Sequence, residues 1–377
     1  METVLVIGFD GYLGTPLTLK LLSEGYKVIG IDNYSRRINV EKVGSFSAIP
    51  ILDVDEKIEQ FKKIGDFIAV SMDINMDYHT ISSLLSYHMP EVVINLAQQP
   101  SAPFSHRSRI DTIETTWNNI IGTINILYLI KDIVPNAHLV QIGSMGEYDP
   151  ASGANIPEGT FDMMYKGKLM KDVLFPRSPG SIYHTSKVCA TYFIVNACKW
   201  WNIKATDIMQ GIVYGSWTPE IEETGIYTRF DTCECFGTVL NKFTLQEVLG
   251  IPLTVFGKGE HKRGFLSLND SINCLMLAIE NPPNKGYRTW NQLCEIYTIK
   301  GLAEKFGSEI QYINTPRIEN TDKFTYNPVV SKLRELGFRQ TRGIEDEFKW
   351  TYDLLSMFKD ELYPLERFII PEIKWRN

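Results

Sequence analysis

Val4-Leu5-Val6-Ile7-Gly8-Phe9-Asp10-Gly11-Tyr12-Leu13-Gly14 is the stretch that decides the fold. A short apolar run rich in β-branched residues ends at a glycine, and two more glycines follow at intervals of three. An amphipathic pattern over 16–24 begins at once. A strand, a tight glycine turn and a helix in that order let the backbone approach a pyrophosphate, with the helix N-terminus supplying N–H donors and a positive dipole end. Three glycines near a turn are common; the strand before them and the helix after them make the motif informative.

Working outward, apolar runs at 4–7, 27–32, 67–71, 92–97, 138–143 and 205–209 predict strands. Amphipathic segments at 16–24, 78–87 and 119–130 lie between them. Strands apolar on both faces, alternating with helices, predict a doubly wound α/β fold of Rossmann type. Past about Gly211 the polar loops lengthen, and prolines recur at 219, 252, 282, 283, 316 and 328. The expected division is a cofactor domain over 1–210 with a return segment at about 264–282. A smaller, interleaved α/β substrate domain takes 211–263 and 283–377. A length of 377 residues accommodates both.

Composition narrows the class. Hydrophobic content of 44% and charged content of 22% are those of a soluble globular protein. A net charge of −7 without a Lys/Arg block argues against a nucleic-acid partner. No run approaches the ~20 apolar residues of a membrane span, so no membrane association is expected. The first residues lack the charged start and long apolar run of a leader, which predicts a cytoplasmic protein. Cys189, Cys198, Cys233, Cys235, Cys274 and Cys294 show no paired ligand spacing, so reduced thiols and no metal are expected.

Asp32 ends the second strand, where a carboxylate accepts both ribose hydroxyls of an adenosine and repels a 2′-phosphate. That favours NAD over NADP. Arg36 and Arg37 follow; they either stack on adenine, face solvent or accommodate that phosphate. Asp73 and Ile74 are placed for the adenine edge, and Leu96, Ala97 and Gln98 for the nicotinamide ribose.

Tyr183-His184-Thr185-Ser186-Lys187 holds a tyrosine and a lysine four apart, on one face of a helix. The lysine charge lowers the phenol pKa from about 10. Such a tyrosine is a base for an alcohol that loses hydride. Ser144, just past the fifth strand, can share the same substrate oxygen.

Ser144, Tyr183 and Lys187, with Asn119-Ile-Ile-Gly122-Thr123, resemble the extended short-chain dehydrogenases, which include the UDP-sugar epimerases and dehydratases. The resemblance spans nearly the whole chain. Met145 and Gly146 stand where the 4,6-dehydratases carry Asp-Glu, which disfavours an ordinary dehydratase. Longer strings are similar to the UDP-sulfoquinovose synthase family: 32–37, Gln99 to Pro103, Gly143 to Tyr148, Tyr183 to Lys187, Gln210 to Gly215 and Phe236 to Asn241. The insertion after Asp32, the acidic loop 218–231 and the tail 371–375 fit as well.

The resemblance implies the substrates UDP-glucose and sulfite. It further implies oxidation at C4, loss of the C6 hydroxyl after C5–H is acidified, sulfite addition at C6 and re-reduction at C4, with NAD retained throughout. Tyr183 is then the C4 base, Lys187 tunes it, and Ser144 positions the oxygen. His184 and Glu147 are the candidates for proton transfer at C5 or C6. Gly8, Asp10, Gly11, Tyr12, Leu13, Gly14, Asn33, Asn119, Gln210 and Val213 complete the expected cofactor set.

For the nucleotide sugar the family pattern points to Thr254, Val255 and Phe256 around uracil, and to Arg263 and Arg317 on the diphosphate. Glu319 is expected at the uridine ribose; Gln210, Thr238 and Asn241 complete the set. The plant-type pattern has an arginine at Pro100 and a glutamate at Gln98. Arg109 or His106 is therefore expected to supply the cation for the anion. A UDP-hexose 4-epimerase is the rival within enzymes. A non-catalytic NAD-sensing regulator is the rival outside them, but such proteins typically lose the tyrosine or lysine. Helices 119–130 and 181–200, apolar over a wide face, predict a homodimer or homotetramer; sulfite arrives free or from a donor protein.

Overall fold

A computed structural model describes residues 2–148, 155–314 and 327–369. Its centre is a seven-stranded sheet. From one edge to the other run Tyr287–Gln292, Lys204–Gln210, His138–Ser144, Val92–Asn95, Thr3–Ile7, Lys27–Asp32 and Phe67–Ser71, every neighbouring pair parallel. Alternation explains why the first strand is apolar at each position. Val4 and Val6 pack with Phe9, Leu17 and Leu21 on one face. Leu5 and Ile7 pack with Ile81, Ile126 and Ile130 on the other.

Six strands fall where the apolar runs predict them. The seventh, Tyr287–Gln292, carries no such signal and lies past the 282 boundary. Its Thr289, Trp290, Asn291 and Gln292 are buried, and the amides are hydrogen-bonded instead of excluded. Asn291 donates to the carbonyls of Ile156 and Val329, and Gln292 accepts from Gln210. The helix Leu268–Glu280 returns to the main core through Leu275 and Ile279. The strand before it, Lys262–Ser267, packs its Leu266 into that core but does not join the main sheet; it sits between Ile212–Tyr214 and Glu295–Thr298 in a smaller one.

Two local features set up the site. The helix Ile182–Trp201 starts at Ser181, whose hydroxyl accepts the His184 N–H at 3.1 Å. The segment expected as a helix from Asn119 begins instead as a π-helical turn, Trp117–Ile121, and continues as Gly122–Ile133. The acidic loop contains a short helix, Pro219–Thr224, capped by Thr218. No helix among the described residues is long and apolar enough to cross a membrane.

Candidate active site

A cavity of about 710 Å³ runs along the carboxyl ends of the strands, lined at one end by Gly8, Asp32 and Asp73 and at the other by Thr254, Phe256 and Arg263. Cavities of this size hold a cofactor or a large ligand.

The glycine turn fits a pyrophosphate for a reason visible in its packing. Gly8 has φ +96°, and a Cβ there would stand 2.8 Å from the Ala97 nitrogen. A Cβ on Gly14 would stand 2.0 Å from the Gly8 carbonyl oxygen. Both positions exclude side chains, and the N-terminus of helix Gly14–Ser23 meets the cavity. Asp32 accepts N–H bonds from Asp10 at 2.9 Å and Tyr34 at 2.7 Å. Burial, then the nearby Asp10 charge, push its carboxyl up to about 6. Tyr12, Leu13, Asn33, Ile74, Leu96, Gln98, Gln210 and Val213 also line the cavity. Asp73 accepts from Asn33 at 2.7 Å.

Four expected cofactor contacts change meaning. Arg37 does not line the cavity. Its guanidinium grips the Asp10 carboxylate at 2.6 and 2.8 Å and donates to the Leu52 carbonyl. Asp10 lines the cavity, but its carboxylate is taken by Arg37 and by Lys57, a fully buried lysine at 2.6 Å. Arg36 faces the cavity with its guanidinium 4.0 Å over the Phe236 ring and bonded to Asp231. Both arginines are thus committed within the protein. Asn119 is the fourth. It is buried and absent from the cavity wall, bonding Gln99 through both backbone groups and Ser186 through its hydroxyl. Its neighbour Asn118 lines the cavity, because the π turn shifts the helix phase.

Lys187, Tyr183, Ser144 and His184 all line the cavity. Lys187 is 4% exposed, donates to the Ile142 carbonyl at 2.6 Å and to Gln98, and lies 5.8 Å from the Tyr183 ring centroid. Burial brings its ammonium down to about 8, against the opposing pull of Glu147 and Asp207. Ser144, Tyr183 and His184 line the same wall. The Ser144 hydroxyl accepts the Gly146 N–H at 3.1 Å. The His184 ring lies 4.8 Å from that of Tyr183, and its Nδ1 is 2.9 Å from the Ser181 hydroxyl. A Cβ on Gly146 would fall 2.1 Å from His184 Nε2. Gly146 therefore makes room for the histidine. Glu147 does not reach the cavity. It is fully buried, accepting from the Ser144 N–H at 2.9 Å and facing Arg177 at 3.4 Å. A side chain so enclosed cannot touch a sugar, which overturns its candidacy for C5 or C6 chemistry.

At the sugar end Thr238, Thr254, Phe256 and Arg263 line the cavity. Val255 points into the small core, and Asn241 is buried with its oxygen accepting from the Gly215 N–H at 2.9 Å. Neither meets the cavity by its side chain. Arg109 is exposed at the start of the helix Arg109–Thr116, away from the cavity. His106 accepts from the Ile182 N–H at 3.1 Å and does not line it either. The expected anion cations are thus misplaced. Arg317, Glu319 and the tail 371–375 lie outside the described residues. Lys242 and His261, both buried, line the cavity near Arg263 and were not foreseen. Lys242 lies 5.5 Å from the Phe256 ring centroid. Helix phase could have found it, since 238 and 242, four apart, share a face.

Comparison with known proteins adds an independent line. The profile of the NAD dependent epimerase/dehydratase family matches residues 4–291. UDP-sulfoquinovose synthase of Sulfolobus acidocaldarius is 38% identical over 99% of this chain and 98% of its own length. The chloroplastic UDP-sulfoquinovose synthase of Spinacia oleracea is 35% identical over 100% of this chain and 80% of its own. Among solved structures, UDP-glucose 4-epimerase of Thermotoga maritima superposes with a TM-score of 0.71 at 21% identity, covering 96% of this chain and 100% of that one. UDP-glucuronic acid 4-epimerase of Bacillus cereus, in complex with UDP-glucuronic acid and NAD, gives 0.70 at 23%, covering 95% and 100%. Those two share the fold.

Proposed function

Since the chain belongs to the UDP-sulfoquinovose synthases within the NAD-dependent epimerase/dehydratase family, we propose that it joins sulfite to UDP-glucose, giving UDP-6-sulfo-6-deoxyglucose and water. NAD, held by the glycine turn and Asp32, supplies a hydride acceptor and donor for C4 when bound. The observation that carries the proposal is the convergence of Ser144, Tyr183, Lys187 and His184 on one wall, with Gly146 making room for the histidine.

Tyr183 takes the proton of the C4 hydroxyl, and Lys187 favours its anion. The C4 ketone acidifies C5–H, and the C6 hydroxyl leaves as water. His184, whose Nδ1 lies 2.9 Å from the Ser181 hydroxyl, takes the C5 proton on Nε2 and passes it to the departing oxygen, so the ring ends neutral as it began. The sulfur lone pair then forms the C6–S bond, C5 regains a proton, and Tyr183 returns its own to the C4 oxygen. Lys242, His261 and Arg263 supply the cationic wall for the diphosphate or the incoming anion.

A UDP-hexose 4-epimerase would use Tyr183 and Lys187 alike but gives no role to a histidine held by Ser181. A regulator without turnover would not need both tyrosine and lysine on the wall. Segments 211–263 and 283–377 contribute the sugar end. Exposed Trp117, Tyr128, Tyr192, Phe193 and Trp200 on the helices flanking the site form an apolar face suited to a second copy. Six free thiols suit the cytoplasm.

The test is incubation of the purified protein with UDP-glucose and sulfite, followed by mass spectrometry of the UDP-sugars. A sulfonate replacing one hydroxyl, absent for Tyr183→Phe, supports the proposal. UDP-galactose in place of a sulfonated product contradicts it.

A further inference from the structure

Directly behind the wall that carries Ser144 and Lys187 lies a charge cluster that touches no cavity. Glu147, Asp207 and Arg177 are each almost wholly enclosed, with side chains at most 2% exposed. Glu147 accepts from the backbone N–H of Ser144 at 2.9 Å; its second oxygen faces Arg177 at 3.4 Å and the Thr191 hydroxyl at 3.3 Å. Asp207 accepts from Thr191 at 2.7 Å and from the Tyr287 hydroxyl at 2.9 Å. The other Asp207 oxygen fills the place of a side chain at Gly143, where a Cβ would stand 2.7 Å from it. Arg177 is stacked 4.0 Å over Tyr148.

Such a cluster is a poor way to stabilise a core, because well-packed apolar residues serve as well without the desolvation cost. Its charges call for another role, and their count suggests one. Among the described residues two carboxylates share a single arginine, and they also act on the Lys187 ammonium. Five elements supply the titratable groups of the cluster and its neighbours. Tyr183 and His184 are on the helix that carries Lys187, Glu147 on the turn after the strand His138–Ser144, and Asp207 on the strand Lys204–Gln210. Arg177 comes from the segment before the helix, and Tyr287 from the edge strand. The uncharged contacts of Lys187 are Gln98 and the Ile142 carbonyl.

We propose that Glu147, with Asp207 and Arg177, is a positioning network that fixes Ser144 through its backbone and keeps Lys187 charged. The Ser144 N–H bond and the reverse contact from Gly146 to the Ser144 hydroxyl close a tight turn that aims the hydroxyl at the cavity. The excess negative charge counteracts burial of Lys187, which otherwise drives its proton off. Burial and then the nearby Glu147 charge push the Asp207 carboxyl up.

The inference rests on the roles proposed for Tyr183 and Lys187, so its test uses a step that needs no sulfite. Reduction of bound NAD by UDP-glucose is followed by NADH fluorescence across pH in the NAD-loaded protein. Glu147→Gln keeps an acceptor for Ser144 but removes the charge. Its expected result is a ~10-fold lower rate at neutral pH with little change in KM. Both limbs of the profile move to lower pH by on the order of one unit, because both the ammonium and the phenol lose a nearby anion. Asp207→Asn shifts them the same way by less and carries the test alone if Glu147→Gln does not fold. Arg177→Lys, which keeps the charge, leaves the limbs in place. Limbs that stay put in the carboxylate variants, whatever the rate, overturn the network. A wild-type protein that never reduces NAD with UDP-glucose overturns the proposed chemistry itself, and the network with it.

Discussion

At the cofactor end of the cavity the wall is built from consecutive strand ends, and at the sugar end from loops and one helix drawn from distant parts of the chain. The first end is also electrostatically self-contained: Asp10 is matched by Arg37 and Lys57, and Arg36 by Asp231. At the second end Lys242, His261 and Arg263 gather on one wall. The difference teaches where binding charge is spent. A glycine turn recognises a pyrophosphate with backbone N–H groups, so its side chains are available to hold the turn together. Loops offer no such ordered donors, and at the second end basic side chains line the wall instead.

Breaking the first end should have the largest effect. Asp10→Ala leaves the fully buried Lys57 ammonium with only the Thr15 hydroxyl at 3.2 Å. Removing one partner of a buried pair costs about 3–5 kcal/mol. Urea unfolding should show that loss, with NAD retention weakened. A loss under about 1 kcal/mol would mean the triad of charges is not what secures the turn.

Gly146→Ala attacks the boundary between the two ends. Its methyl must displace His184, so sulfonate formation should fall ~100-fold, within the range of a lost proton-transfer group. NAD reduction by UDP-glucose should fall much less. Equal losses in both steps would remove His184 from the C6 chemistry. The sugar end alone is tested by Arg263→Met, for which the KM for UDP-glucose should rise ~10-fold or more with NAD content unchanged, as for a lost charge-assisted contact. Arg109→Ala should change neither.

The smallest effect is expected far from both ends. His138 is buried at the start of its strand, where burial and the nearby Arg288 bring its imidazole down to about 3 from 6.5. The folded state holds the neutral ring while the unfolded chain takes a proton below 6.5. Stability is thus full above that pH and is lost as pH falls toward 3. His138→Gln should flatten the decline by about 1 kcal/mol between pH 6.5 and 5.5, read from denaturant midpoints.

Much of the first end was legible in the sequence. The glycine turn, Asp32 and the pair Tyr183 and Lys187 sit at positions that strand ends and helix phase dictate. Arg37 and Asn119 were misplaced because sequence adjacency does not say whether a side chain meets a ligand or a neighbour. A π turn moved Asn119 inward, and a salt bridge claimed Arg37. Lys57 gave no sign of its burial, lying among charged residues in Asp55-Glu56-Lys57. At the sugar end Arg109 and Asn241 were plausible by type alone, and the seventh strand was hidden by amides that are bonded inside the core.

The most direct measurement uses UDP-glucose carrying deuterium at C4, turned over with sulfite by the NAD-loaded protein and analysed by mass spectrometry. The account predicts a sulfonated UDP-sugar that keeps the deuterium at C4, since the hydride removed there is the one returned. A sulfonated product without the label, or the label lost to added unlabelled cofactor, would contradict it.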